Sequence, residues 1–433
     1  MRPQFADVLP ALLRAADELA RHRCRFETFA KVGETVVRRT GHSGNQERQH
    51  LLEVGVGCRV VVAGKVGFGA AAGSHAAAGR EAARLARENL LPGPDPLPPA
   101  RLLGATAVPG LPEAGGEEAR EGFLKALEKG FAREGRGLLL REVRMLDGCS
   151  TASILTGEGF TARAPACGCA IEVLIAAGEG PQRLFHRAAR SLADLDPDAF
   201  VRQACETSRL TSRGSAASGG LTDVLLAPGV AAPLVEALGA AIIEDTLHTG
   251  AREPRIAKAW CLVDERSGPS GLLPLPFDGE GVASRPLTLL ADGRLQERCG
   301  CWADTHQRGM GAGGAVRSTY VAPPKSGPAN VVLHAIPARS PAELLQMMEQ
   351  GCYLAIPAGR LRREPESGRF SLRAGAVSVR HGRFAAAHPI VELRGSLRRL
   401  LAGLVAAGND PASFSLSCAV TVPTLLLRGL EVA

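Results

Sequence analysis

The chain has 433 residues, of which 45% are hydrophobic and 22% charged, and its formal net charge is +7. This length exceeds what one compact core usually serves, so the composition predicts a globular protein of two or three domains. The basic excess is mild and spread along the chain, so it requires neither a nucleic-acid nor a membrane partner. No apolar run of about 18 residues occurs, which argues against a transmembrane helix.

The N-terminal segment predicts a compact α+β layer. An amphipathic helix is expected from about Asp7 to Arg21, followed by alternating strands and a hairpin with its turn at Gly64–Lys65. A second helix is expected in "HAAAGREAARLAREN". The N-terminus lacks the continuous apolar stretch of a signal peptide, so we expect a cytoplasmic location.

Proline and glycine punctuation divides the remainder of the chain. A Pro-rich stretch, "LLPGPDPLPPA", fits a linker or extended arm, and the small polar run "TSRGSAASGG" marks a second boundary. Beyond it, strands dominate, with hairpin turns expected at Asp292–Gly293 and His381–Gly382. We therefore predict an α+β fold with an N-terminal α/β layer domain, a linker or arm, a central α+β segment, and a mostly β C-terminal domain with a few helices. Their predicted limits are residues 1–91, 92–116, 117–210 and 221–433.

Eleven cysteines on a long chain without an export signal are expected to be reduced and mostly buried. Two pairs have CxC spacing, Cys167 with Cys169 and Cys299 with Cys301. A structural zinc site usually needs two CxxC-type knuckles, so these pairs fit small buried hydrophobic residues better.

The stretch "LVEALGAAIIEDTLHTG" predicts a helix between Pro233 and Gly250. It carries Glu244, Asp245 and His248, for which an ion pair or a helix C-terminal histidine is favoured over a metal site. The sequence contains no phosphate-binding loop, no nucleophile elbow and no HExxH motif.

Six stretches follow one another in the C-terminal half: "LPLPFDGEGVASRPLTLLADGRLQ", "GAVRSTYVAPPKSGPANVVL", "EQGCYLAIP", "SGRFSLRAGAVSVRHGRFAAAHP", "LRRLLAGLVAAGND" and "SCAVTVPTLLLRGLEV". With the N-terminal "VGVGCRVVVAGKVGFGAAAG", they resemble the TldD/PmbA family, also called TldD/TldE, of peptide-processing metalloprotease complexes. The resemblance covers nearly the whole chain.

The family contains two kinds of chain. TldD-like chains carry HExxxH on a helix, with two histidines and a C-terminal cysteine as zinc ligands and the glutamate as general base. TldE-like (PmbA) chains lack this motif and pair with a TldD-like chain. Here the frame contains Val235, Glu236, Gly239 and Ala240, so apolar residues occupy both histidine positions. One glutamate cannot hold a catalytic zinc, which usually takes three protein ligands.

The remaining candidate residues have both functional and structural interpretations. Asp278 and Glu280 in "FDGEGV" fit a functional loop or a β-turn, and the turn is favoured. Arg317 and Asn330 match polar positions of the family, with either a substrate-facing or a hydrogen-bonding structural role. Cys418 resembles the TldE-like ending, and as a lone thiol in an apolar strand it fits the core.

The resemblance implies a non-catalytic TldE/PmbA-like subunit of a zinc-dependent peptidase complex. The chain itself would bind no cofactor, and the zinc would belong to a TldD-like partner in a cytoplasmic heterodimer. The substrate would be an extended peptide, which can add as a strand to a sheet edge. Neither a membrane nor a nucleic acid is favoured as a partner.

Two alternatives stay open. Cys299, Cys301, Asp304 and His306 in "CGCWADTH" could form a thiol-based active site, which needs a base positioned in space. The arginines between Arg360 and Arg383 could bind nucleic acid, although they lack interleaved aromatic residues and fit a solvated strand face.

Overall fold

The structure is a computed structural model that describes residues 8–41, 45–108, 115–178, 180–212, 214, 219–248, 254–334 and 337–433. The helices of this part of the chain are α1 (Leu9–Arg21), α2 (Ala76–Glu88), α3 (Glu117–Glu134), α4 (Pro197–Leu210), α5 (Pro228–Ile243), α6 (Trp302–Arg308), α7 (Pro341–Gln346) and α8 (Leu397–Gly403). Short 3-10 helices cover Ala100–Leu102, Leu192–Asp194 and Thr246–His248. No helix among the described residues is long and apolar enough to cross a membrane.

The N-terminal half builds one antiparallel sheet. Its strands are β1 (Arg25–Gly41), β2 (Gln46–Val62), β3 (Lys65–Ala72), β4 (Leu91–Pro92), β5 (Leu139–Thr156), β6 (Thr161–Ala176) and β7 (Arg183–Ala189). They lie in the order β4-β3-β2-β1-β5-β6-β7. Strands from the predicted N-terminal and central segments therefore share a single sheet, and β7 forms one of its edges.

Four helices cover one face of this sheet. The helices α1 and α2 pack over β1, β2 and β3, and α3 and α4 pack over β5, β6 and β7. Both helix pairs lie on the same face of the sheet. Ala30 of β1, which belongs to the core beneath α1 and α2, lies opposite Ser153 of β5. Val36 points to the same side of β1 as Ala30 and lies opposite Asp147, which accepts a hydrogen bond from Arg120 of α3. The other face of the sheet is left for the C-terminal half.

The C-terminal half contains two larger sheets and two strand pairs. Its strands are β8 (Gly220–Leu226), β9 (Leu262–Asp264), β10 (Leu287–Ala291), β11 (Arg294–Leu295), β12 (Cys299–Gly300), β13 (Gly311–Ala312), β14 (Ala315–Val316), β15 (Lys325–Ser326), β16 (Asn330–Leu333), β17 (Ala338–Arg339), β18 (Gln350–Pro357), β19 (Arg362–Arg363), β20 (Arg369–Arg380), β21 (Arg383–Ser396), β22 (Leu404–Gly408), β23 (Ala412–Ser415), β24 (Ala419–Val422) and β25 (Leu425–Val432).

The smaller of these two sheets has the order β11-β10-β9-β16-β24-β23, so β23 is an edge strand. In the larger sheet, β8 pairs with both β18 and β25, and these strands close into a ring with β20 and β21. The helix α5 lies between the two sheets and contacts β8 and β18 on one side and β16, β23 and β24 on the other. A helix that is apolar on nearly all sides suits this enclosed position.

The predicted fold class is confirmed, as are two of its turns. Asp292 and Gly293 have φ of 53° and 73°, and His381 and Gly382 have φ of 48° and 69°, as two-residue hairpin turns of this type require. The first hairpin turn lies one residue earlier than expected, at Ala63–Gly64. The predicted domain limits stay predictions, and most of the "TSRGSAASGG" boundary lies outside the described residues.

The prediction for the apolar helix was wrong at both ends. The helix α5 begins at Pro228, so Pro233 lies inside it, and it ends at Ile243. Asp245 has a φ of 58°, which interrupts the helix, and His248 belongs to a separate 3-10 turn. Burial on both sides outweighs the one hydrogen bond that Pro233 removes. Gly250 and Asp7, the other predicted limits, lie outside the described residues.

The expectation of reduced cysteines is wrong for one pair. Cys149 and Cys167 are directly opposite each other on β5 and β6, and their sulfur atoms form a disulfide bond. Because Cys149 and Cys167 are far apart in the sequence, the CxC spacing did not predict this bond. Cys169 remains a free, buried thiol on the same face as Cys167.

Candidate functional site

The main cleft lies where the edge strands β7 and β23 approach each other. The first turns of α5, part of α4 and the end of β18 complete its walls, and its volume is about 810 Å³. Positions 229, 232, 233 and 236 of α5 line the cleft, at the i, i+3, i+4 and i+7 spacing of one helical face. The side of α5 that carries Glu236 of the predicted HExxxH frame therefore faces a cavity.

Val235, at the first histidine position of that frame, faces away from the cleft. Its side chain is fully buried in the core between the two sheets. Ala240, at the second position, is half-buried, and a Cβ on Gly239 would meet the Val331 side chain at 3.1 Å. The helix continues regularly through Gly239, so its backbone does not turn the two positions toward one point.

Glu236, at the general-base position, is held by backbone groups. Its Oε1 accepts hydrogen bonds from the N–H groups of Ser417 at 2.6 Å and Cys418 at 3.1 Å. These bonds attach the turn after β23 to α5, which gives Glu236 a structural role at the rim of the cleft.

The residues around this frame do not fit a zinc ion. Among the described residues, no group of three His, Cys, Asp or Glu side chains could hold a metal. Burial raises the pKa of the Cys418 thiol, and the nearby Glu236 and Asp264 raise it further. A thiol kept protonated is a poor metal ligand.

Asp278 and Glu280 occupy a buried loop between the two halves of the chain. Asp278 accepts backbone hydrogen bonds from Glu280, Val282 and Ala315, and Glu280 accepts one from Trp302 at 2.6 Å. Burial raises the pKa of Asp278, although these bonds and Arg266 oppose it. Burial also raises the pKa of Glu280, to about 7, against the opposing effect of Arg59.

Glu280 and Arg317 meet through residues of the N-terminal sheet. Arg59 bonds to Glu27 and, at 2.8 Å, to Glu280, while Arg317 bonds to Glu27 at 2.5 Å. We call Glu27, Arg59, Glu280 and Arg317 the ionic cluster. Burial alone would raise the pKa of Glu27, but Arg59 and Arg317 hold it below its usual value. The cluster joins the face of the first sheet opposite its four helices to the C-terminal half.

Two glycines of the N-terminal "VGVG" motif make this junction possible. A Cβ on Gly55 would collide with the Tyr320 ring, and one on Gly57 would collide with the Tyr320 carbonyl group. Arg317 lies over the Phe29 ring, 4.2 Å from its centroid. Glycine therefore allows the segment after Arg317 to rest directly on β2.

Asn330 is also part of the internal framework. Its side chain exchanges two hydrogen bonds with the backbone of Leu273, at 2.8 and 2.6 Å, and its N–H donates to Asp264 at 2.7 Å. It is 1% exposed. Asn330 thus joins the loop after β9 to β16, at a distance from the cleft lining.

The geometry does not favour the thiol-based alternative. Burial raises the pKa of both Cys299 and Cys301, and Cys301 contacts Asp304, a carboxylate, at 3.3 Å. The exposed His306 ring packs edge-on against Trp302, with centroids 4.8 Å apart. An activated thiol usually has a lowered pKa, whereas the pKa of each of these thiols is raised.

The arginine-rich hairpin forms a solvated surface with acidic residues among its arginines. Arg363 lies 3.6 Å from Glu244, and Arg394 pairs with Glu392 and Glu431. Tyr353 and Phe384 stack with centroids 5.3 Å apart, and Tyr353 is in the cleft lining. This arrangement offers no ladder of exposed aromatic rings for single-stranded nucleic acid.

Sequence reasoning missed the residues that dominate the cleft. His186 and Arg187 lie on β7, whose short pattern "RLFHRAA" was not identified as a strand. The Phe414 ring lies 5.8 Å from His186 and 5.1 Å from the Arg187 guanidinium. Burial lowers the pKa of His186 and raises that of Tyr353 to about 12, so both side chains are neutral near pH 7. The alternation in "RLFHRAA" was the available sign.

Three solved structures share this fold over almost the whole chain. A Thermotoga maritima protein, named as a proposed modulator of a DNA gyrase, has 19% identity and a TM-score of 0.81, covering 98% of this chain and 99% of its own. TldE from Thermococcus kodakarensis has 15% identity and a TM-score of 0.82, covering 97% and 100%. A Bacteroides thetaiotaomicron protein, also named as a proposed modulator of DNA gyrase, has 16% identity and a TM-score of 0.76, covering 98% of each chain.

A comparison with curated proteins finds no match. The family model described as the PmbA/TldA metallopeptidase C-terminal domain matches residues 219–433. The shared sequence pattern of this half and the shared fold of the whole agree with each other. Through residues 219–433 the chain therefore belongs to the TldD/PmbA family of metallopeptidase-related proteins, and the three solved structures show the same fold over almost its whole length.

Proposed function

We propose that this chain is a non-catalytic, TldE/PmbA-like subunit that pairs with a TldD-like chain carrying HExxxH and zinc. The observation that carries this proposal is the burial of Val235 in the core, at the position of the first zinc-binding histidine. A histidine ligand at that position would have to face a metal, whereas Val235 belongs to the hydrophobic core. The subunit would contribute structure and substrate contacts, while its partner performs the hydrolysis.

Glu236 supports the same division of labour. A general base in a zinc peptidase acts on metal-bound water, whereas this carboxylate accepts two backbone hydrogen bonds from Ser417 and Cys418. The glutamate stabilises the rim of the cleft in this subunit. Its position in the frame is retained without the metal that would give it a catalytic task.

The cleft suits an extended peptide. Two sheet edges, β7 and β23, border it, and an extended chain can form backbone hydrogen bonds with such an edge regardless of its side chains. Apolar walls formed by Phe185, Phe200 and Phe414 would accept alternate side chains. We therefore propose flexible or unfolded peptides as the substrate class of the complex.

The test is metal content and peptidase activity of the purified chain, alone and after co-expression with a TldD-like chain. We expect neither stoichiometric zinc nor cleavage with the chain alone, and both with the co-purified pair. The matched control is the same pair with the first histidine of the partner's HExxxH replaced by alanine, which should still assemble but lose zinc. Stoichiometric zinc and cleavage by the chain alone would overturn the proposal.

A further inference from the structure

Arg187 lines the cleft, and its guanidinium contacts neutral groups. Nη1 donates to the His186 carbonyl at 3.0 Å, and Nη2 donates to Oε1 of Gln203 at 2.9 Å. The third contact is with the Phe414 ring. Among the described residues, no carboxylate lies within ion-pair distance of this guanidinium. The positive charge is therefore solvated by the protein but not neutralised by it.

The acidic residues nearest to this part of the cleft are bound to other groups. Glu172 pairs with Arg144 at 3.0 Å, and Glu236 accepts the two backbone hydrogen bonds described above. Asp410 accepts hydrogen bonds from the N–H and hydroxyl groups of Thr424, at 3.0 and 2.7 Å. None of the three can turn toward Arg187 without giving up these partners.

The surroundings of Arg187 make an uncompensated cation unfavourable. Burial lowers the pKa of Arg187 to about 10, and the more distant Asp410 only partly opposes this effect. A half-buried guanidinium beside an aromatic ring gains most from a carboxylate, which can accept two parallel hydrogen bonds from it. The empty part of the cleft is where such a group can approach.

The first turn of α5 also favours a negatively charged group in this part of the cleft. Its N-terminal residues Pro228 and Gly229 line the cleft, and no side chain caps this helix. A Cβ on Gly229 would lie 3.7 Å from the edge of the Phe414 ring, whose side chain also contacts Arg187. The positive end of the helix dipole and the guanidinium therefore border the same part of the cavity.

We propose that Arg187 binds a carboxylate of the peptide that occupies the cleft, so that this subunit selects acidic peptides or free C-termini. The inference rests on the proposed function for its peptide ligand and adds a charge requirement to it. The Phe414 ring beside Arg187 would receive an apolar side chain next to the acidic group. The resulting preference is for an apolar residue adjacent to a carboxylate.

The test measures peptide binding to the full chain, without partner or metal, by fluorescence anisotropy. The probe is a labelled alternating alanine–valine hexapeptide in three forms: with a free C-terminal carboxylate, with a C-terminal amide, and with an amide plus one central glutamate. We expect at least one carboxylate form to bind about tenfold more tightly than the plain amide, since a charge-assisted hydrogen bond contributes about 1.4 kcal/mol or more. The form that gains identifies which carboxylate Arg187 binds.

The variant Arg187→Gln should reduce this preference to less than about twofold, because its amide is neutral. Arg187→Lys keeps the charge without the planar guanidinium group and should retain an intermediate preference for the carboxylate. If Arg187→Gln does not fold, Arg187→Lys takes its place in the test. Arg202→Gln removes an exposed arginine from α4, outside the cleft lining, and is the matched control that should keep the full preference.

Equal binding of all three peptides would overturn the inference, and so would a carboxylate preference that survives Arg187→Gln. Absence of binding by every form would also overturn it. The proposed subunit role is judged separately by zinc content and cleavage with the TldD-like partner, so failure of one can be distinguished from failure of the other.

Discussion

The ionic cluster and the cleft beside α5 contain charged residues in opposite arrangements. In the cluster, two glutamates and two arginines pair with one another across the junction of the two halves, almost without solvent. In the cleft, Glu236 is bonded to backbone N–H groups and Arg187 contacts neutral partners. One region satisfies its charges internally, and the other leaves a cation available to a ligand.

This comparison shows why shifted pKa values alone do not identify a functional site. Glu280 has a strongly raised pKa and lies in a glycine-rich loop, which are features of many catalytic carboxylates. The groups bonded to Glu280, however, hold the two halves of the chain together. The adjoining cavity measures only about 90 Å³. The larger cleft contains the less conspicuous residues and has room for a peptide.

Breaking the cluster should have the largest effect. Arg59→Met leaves Glu27 and Glu280 buried without their shared cation, so we expect the free energy of unfolding to fall by about 3–5 kcal/mol. Urea denaturation monitored by circular dichroism measures this loss. Arg84→Met is the matched control, because Arg84 also pairs with two glutamates but on an exposed helix surface, where the unfolding midpoint should hardly change. Similar midpoints for the two variants would contradict a structural role for the cluster.

Restoring a histidine to the metal frame should have the next largest effect. Val235→His places a polar ring in a fully buried apolar position, so we expect a loss of about 2–4 kcal/mol from overpacking and an unpaired polar group. Equilibrium unfolding and zinc content after dialysis are the measurements, and no stoichiometric zinc is expected. Ala240→His, at the half-buried second position, should be tolerated better. Stoichiometric zinc in the double variant Val235→His/Ala240→His would show that α5 still forms a metal site.

The smallest expected effect is a pH dependence carried by Glu280. Its pKa is about 7 in the folded protein and near 4.5 when unfolded, so the folded state holds a proton that the unfolded state releases between these values. Stability from this group is present below about pH 4.5 and is lost as the pH rises through 7. Glu27, whose pKa is lowered, acts in the opposite direction and loses its contribution as the pH falls.

Denaturation midpoints at a series of pH values would isolate this contribution. Glu280→Gln should remove the decline between pH 4.5 and 7 and leave the acid-side loss from Glu27. Glu81→Gln, which changes an exposed glutamate, should retain the wild-type profile in that range. An unchanged decline in Glu280→Gln would assign the pH dependence to another group.

Local patterns predicted much of the fold. The hairpins at Asp292–Gly293 and His381–Gly382 were predictable because their residues tolerate positive φ at low cost. The start of α5 was not, because Pro233 is a local stop signal, whereas the helix is stabilised by burial between two distant sheets. Tertiary packing outweighed the local preference there.

The candidate site was only partly predictable. The frame around Glu236 singled out a helix that lines the cleft, but Arg187, Gln203 and Phe414 come from β7, α4 and β23, which are far apart in the sequence. No spacing rule connects residues from three such elements. The partners of Glu280 and Arg317 were missed for the same reason, since Glu27 and Arg59 approach them from the opposite half of the chain.

The sheet shared by the N-terminal and central segments has a consequence for synthesis of the protein. The strand β1 pairs with β5, so that Glu27 lies opposite Thr156, and β5 is synthesised well after β1 and β2. Until then, the 17 residues of β1 present an open edge, a known template for aggregation. Folding of the first half must therefore wait for the central segment, and a truncated chain ending in the Pro-rich stretch would keep that edge exposed.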